Sequence, residues 1–136
     1  MKFLVDHVAQ SITKAWKHES RLTGNEDALN VGGKTSPKIR HLLNNLCSLP
    51  DSVHLEVGSW RGASLIAAIV GNEETLRAAY AIDAWCQYGC PITGYSDPEQ
   101  RFDRNTARLL GGYAGRWLKV KAMFADVVGL PLTPNI

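Results

Sequence analysis

Residues 53–62 read VHLEVGSWRG. Val53 to Val57 is a short run rich in β-branched residues, preceded by the turn formers Pro50 and Asp51 and followed by Gly58, and it predicts a buried strand. The run carries an acid, Glu56, near its end, and then two glycines, Gly58 and Gly62, bracketing Ser59, Trp60 and Arg61. A strand that turns into a helix needs glycine where φ is positive and where a ligand approaches the backbone, and the helix beyond offers unpaired N–H groups. Gly58 and Gly62 fit those needs, and the apolar stretch from Gly62 to Gly71 is the expected helix. A plain strand-to-helix connection carries the same G-x-x-x-G, so the flanking pattern has to decide.

That pattern repeats. Ala78 to Ile82 is a second expected strand, closed by Asp83, and Trp117 to Phe124 is a third, in which Leu118, Val120 and Ala122 alternate with Lys119 and Lys121 and Asp126 follows. Between them Asp97, Pro98 and Gln100 stand as N-cap, first-turn proline and capping-box partner of a helix that ends at Gly111 and Gly112. Upstream, Ser36 and Pro37 open a helix with the apolar stripe Ile39, Leu42, Leu43, Leu46 and Cys47, stopped by Pro50. Val5, Val8, Ile12, Ala15 and Trp16 share one face of an amphipathic helix over 3–17, read as a covering element. The polar stretch 19–35 reads as a connection. Strands alternating with helices predict an α/β fold with a parallel sheet, whose ligands bind beyond the carboxyl ends of the strands. Glu56, Asp83 and Asp126 are therefore expected on one rim.

Asp83 lies 25 residues after Gly58, near the spacing at which nucleotide-binding folds place an acid on ribose hydroxyls. Two cofactors come into question. A dinucleotide needs a central glycine so that its pyrophosphate can approach the backbone, and here Ser59 and Trp60 hold that place, with Glu56 adding a repelling carboxylate. S-adenosylmethionine has no phosphate; its ammonium suits an acid at the strand end, and its carboxylate suits loop N–H groups.

LEVGSWRGAS followed by AYAIDAW resembles the first two motifs of class I S-adenosylmethionine-dependent methyltransferases, over roughly residues 31–126. The resemblance implies a Rossmann-like three-layer sandwich. It further implies that Glu56, Gly58, Ser59 and Gly62 line the methionine end, that Asp83 holds the ribose, that Trp85 or its neighbours flank the sugar or adenine, and that Asp126 lies near the adenine amino group. Trp60, inside the glycine turn, is counted with the cofactor-binding residues, although the sequence leaves open whether it walls the site or packs outward. Family members carry a larger sheet than the three strands read here, so the expectation is an incomplete fold. Residues 1–35 would be a covering helix and connection, and 36–136 the N-terminal half of a cofactor-binding domain, truncated at its C-terminus. The first strand would then form an open sheet edge through which the chain could pair with a copy of itself. The implied activity is methyl transfer to an oxygen or nitrogen of a small molecule or sugar. The rival readings are an NAD-dependent oxidoreductase and a non-catalytic binding or assembly module.

The totals fit this picture. A chain of 136 residues with 45% apolar content supports one core, and a net charge of +2 lacks the basic density of a nucleic-acid binder. The longest apolar run is far short of the about 20 residues that cross a bilayer, and Asp6 and His7 break up a signal sequence, so a cytoplasmic protein without membrane or nucleic-acid partners is expected. Gly33-Lys34-Thr35 imitates the end of a phosphate-binding loop without its first glycine, and is read as a loop near the cofactor mouth. Cys86 and Cys90 lack the further ligands that zinc requires. The aromatic loop from Trp85 to Tyr95 is expected to cover the ligand, and Arg101, Arg104 and Arg108 to form a solvated face. His54, inside a strand, is read as a packed or edge residue.

Overall fold

The computed structural model describes residues 1–85 and 97–128. Their order is α1 (Lys2–Trp16), α2 (Glu26–Leu29), α3 (Pro37–Cys47), β1 (Ser52–Val57), α4 (Ala63–Ile69), β2 (Leu76–Asp83), α5 (Pro98–Leu110), a 3-10 turn at Gly111–Tyr113, β3 (Trp117–Lys121) and α6 (Phe124–Val127). The strands form a parallel sheet in the order β1-β2-β3. Leu55 stands beside Tyr80 and Tyr80 beside Leu118, while Glu56 stands beside Ala81 and Ala81 beside Lys119. The expected α/β architecture is present as a small open sheet with flanking helices. No helix among the described residues is long and apolar enough to cross a membrane.

The helix starts follow local chemistry. Ser36 Oγ accepts from the Ile39 amide and Asp97 Oδ1 from the Gln100 amide, each with proline in the first turn, where a missing N–H costs nothing. The core lies between α4 and one face of the sheet: Leu65, Ile66 and Ile69 of α4 are fully buried with Ala79 and Ala81 of β2 and Phe102 and Leu110 of α5. Each such large apolar side chain contributes about 1.5–3 kcal/mol on burial. Alanines at 79 and 81 let α4 approach the central strand closely. The opposite face is apolar too, yet Val53, Leu55 and Val57 of β1 remain 47%, 54% and 52% exposed. β1 is also an edge strand.

Several elements depart from the sequence reading. The connection 19–35 contains the short helix α2 and contributes to the core: Leu22, Ala28 and Val31 are buried, and Asn25 caps α2 by accepting from the Ala28 amide. Helix α3 buries its polar side, Arg40, His41, Asn44 and Asn45, and leaves Ile39 partly exposed. The buried amides serve the end of a neighbouring helix. Asn44 Nδ2 donates to the carbonyls of Ala67 and Val70, and Asn72 Nδ2 to those of Ala68 and Asn44, so the orphan carbonyls at the C-terminus of α4 are satisfied. Helix α1 rests on α3 through Ser11 and Ala15, with Val5, Val8, Ile12 and Trp16 turned outward. β3 ends at Lys121, three residues sooner than its alternation predicts, because the chain turns into α6 at Phe124.

Candidate functional site

The turn from β1 into α4 is built on two positive-φ glycines, Gly58 at +84° and Gly62 at +81°. Gly62 is the N-cap of α4, and a Cβ there would come within 3.1 Å of Phe102 Cδ2. The space beside Gly58 is open. The turn spends its own amides: Gly58 N donates to the Ile82 carbonyl at 2.8 Å, Gly62 N to Ser59 O at 2.7 Å, and Trp60 N to Asp83 Oδ2 at 2.7 Å. The other oxygen of Asp83 accepts from the Trp85 amide at 2.8 Å, and Trp85 Nε1 donates to the Trp60 carbonyl at 2.8 Å. One carboxylate at the tip of β2 thus ties together two tryptophans, both at positive φ, +46° for Trp60 and +41° for Trp85. Such conformations cost energy for residues with a Cβ and persist where the surroundings overdetermine them.

Above this knot opens a cavity of about 750 Å³, within the size range of small-molecule sites. Its floor is Gly58, Ser59, Trp60 and Arg61 with Ala63 and Ser64 of α4; Asp83 at the end of β2 and Trp85 just after it line it, with Asp97, Pro98 and Glu99 from the start of α5, and Gly33, Lys34 and Thr35 from the segment before α3. Trp60 is flanked by cations, with Arg61 Cζ 4.1 Å and Lys34 Nζ 5.7 Å from its ring centre. Trp85 packs edge-on against Phe102, and Lys119 Nζ lies 4.8 Å from its ring centre. Glu99 holds Lys119 at 2.8 Å and Lys121 at 2.5 Å. Hydrogen bonds from these two lysines hold the Glu99 carboxyl below its ordinary range. Burial pulls the Lys119 ammonium down, but its bonds to Asp103 and Glu99 raise it on balance.

Of the expected site residues, Gly58, Ser59, Trp60, Asp83 and Trp85 come together in the cavity wall, and Gly62 stands directly behind it as the helix cap. Glu56 is not in the wall. It is buried in β1 with Oε2 3.7 Å from His54 Nε2, and its Oε1 has no hydrogen-bond partner among the described residues. Burial draws the His54 pKa down, but Cys47 and Glu56 beside it draw it further up, to about 9. Asp126 lies exposed on α6, five residues past the end of β3, and does not reach the cavity wall. Of the three acids only Asp83 lines the cavity. Cys86, Cys90 and the rest of the aromatic loop after Trp85 lie outside the described residues.

The wall also contains Arg61, Ala63, Ser64, Asp97, Pro98 and Glu99, which the sequence reading did not assign to the site. The N-cap signal at Asp97 was visible, but nothing in it says that the start of α5 overhangs the turn at 58–62. Among the described residues no group of three or more His, Cys, Asp or Glu side chains could hold a metal ion. No protein-family model, curated protein or solved structure matches the chain.

Proposed function

We propose that the chain is the cofactor-binding portion of an S-adenosylmethionine-dependent methyltransferase acting on an oxygen or nitrogen of a small molecule or sugar, on a Rossmann-like sheet. The observation that carries this reading is the cavity at the carboxyl end of parallel strands, floored by a glycine turn and walled by Trp60, Trp85 and Asp83. The two indoles offer flat apolar surface against which an adenine can pack. Each Asp83 oxygen accepts one backbone N–H, and a carboxylate has about four acceptor sites, so it retains capacity for ribose hydroxyls. The bound cofactor supplies an electrophilic methyl group; the protein's part is to orient it and to exclude water. The fit is poorer for a dinucleotide, because Trp60 occupies the place where a pyrophosphate needs bare backbone.

Isothermal calorimetry on the purified chain tests the reading. S-adenosylhomocysteine is expected to bind with one-to-one stoichiometry and NAD not to bind. Binding of NAD alone would support the oxidoreductase reading, and binding of neither would leave a non-catalytic module as the better account.

A further inference from the structure

We infer that Lys34, carried on the turn 32–35, is the residue that receives the carboxylate of the bound cofactor's amino-acid part. This assignment rests on the methyltransferase reading above. It starts from the hydrogen bonds of the glycine turn, where three amides that a carboxylate could have used, those of Gly58, Trp60 and Gly62, are already given to Ile82 O, Asp83 Oδ2 and Ser59 O. Those three amides are not available to an anionic group in the cavity, which a cation from the facing wall would complement.

The acids in the wall are already engaged: Asp83 by two backbone amides, Asp97 by the Gln100 amide and Glu99 by Lys119 and Lys121. Lys34 is different. It lines the cavity beside Trp60 and has no carboxylate partner among the described residues.

The turn that carries Lys34 is held in place from beneath. Arg40, only 4% exposed, donates to Thr35 O at 3.2 Å, to Thr35 Oγ1 at 3.3 Å and to the Leu29 carbonyl. Burial lowers its pKa, the sign of a cation kept in the interior at a cost. On the other side, a Cβ at Gly33 would lie 2.5 Å from Ala63 Cβ, so the turn sits directly on the first residue of α4. A flexible ammonium on a fixed backbone suits one carboxylate as a point charge. Ser59, 3% exposed and lining the same cavity, has an Oγ with no hydrogen-bond partner among the described residues and adds a hydroxyl there.

The test compares two ligands that differ in this group, S-adenosylhomocysteine and 5′-deoxy-5′-methylthioadenosine, which lacks the amino-acid part. Calorimetry is run on the wild type, Lys34→Gln and Lys34→Arg, with near-ultraviolet circular dichroism to verify packing. Lys34→Gln is expected to weaken S-adenosylhomocysteine by about tenfold and to leave methylthioadenosine unchanged, and Lys34→Arg to recover most of the loss. Equal weakening of both ligands, or of neither, overturns the assignment while the cofactor reading stands. If the wild type binds neither ligand, the cofactor reading fails and the assignment with it.

Discussion

His54 belongs to β1 and faces the interior beside Glu56, and its pKa of about 9 lies above the 6.5 of an ordinary histidine. A raised folded-state value means that the native protein holds a proton that the unfolded chain releases earlier. The associated stability is fully present below pH 6.5 and is lost as pH rises toward 9. The loss is on the order of 3 kcal/mol. Urea denaturation at intervals across this range should show the midpoint falling with pH, and His54→Gln should flatten the profile; an equally steep profile in the variant would remove His54 as its source. The sequence showed that His54 sits inside a strand and is better placed to pack than to act as a base. It did not show the Cys47 and Glu56 contacts, because they depend on how α3 closes over β1. Glu56 was assigned to the ligand for a similar reason: alternation places it on the covered face of the strand, but whether that face opens into the cavity or lies beneath it depends on tertiary packing.

The β1–α4 turn contains two glycines with nearly the same φ and different surroundings, which makes them a controlled pair. Alanine at Gly58 meets open space and should cost only the left-handed backbone term, roughly 1–2 kcal/mol. Alanine at Gly62 pays that term and also presses its Cβ against the fully buried Phe102, adding about 1 kcal/mol or more from overpacking. Thermal or chemical unfolding of the two variants should rank them in that order, and equal losses would argue that Phe102 yields freely. The glycine turn was legible because φ constraints are local. So were the caps of α3 and α5, which depend on residues three apart in the chain. The buried side of α3 was legible only in part: its periodicity points to Ile39, Leu42, Leu43, Leu46 and Cys47, of which Cys47 is buried and Leu43 packs against the core, but Asn44 is drawn inward by the carbonyls that end α4. Periodicity ranks side chains by polarity and has no knowledge of which hydrogen-bond groups a neighbouring element leaves open.

For the molecule as a whole, the sheet is parallel, and parallel sheets are ordinarily covered on both faces. Here α4 and α5 pack on the face of Ala79 and Ala81, while Val53, Leu55 and Val57 present apolar surface to solvent on the other face of an edge strand. This predicts that the native chain binds the dye ANS before any unfolding, and that Leu55→Glu lowers the dye fluorescence without lowering near-ultraviolet circular dichroism; unchanged fluorescence in the variant would place the dye elsewhere. The alternation of strands and helices was legible as a parallel sheet because the strand signals recur with helices between them, but the bareness of one face was not, since an exposed apolar strand residue reads the same as a buried one. The strand order has a further consequence, for how the chain is made. β2 pairs with β1 and β3 with β2, so among the described strands β2 and β3 each emerge after the strand they pair with. The sheet can therefore assemble from its N-terminal side outward while the ribosome is still adding residues, without a step in which a later strand must insert between two earlier ones.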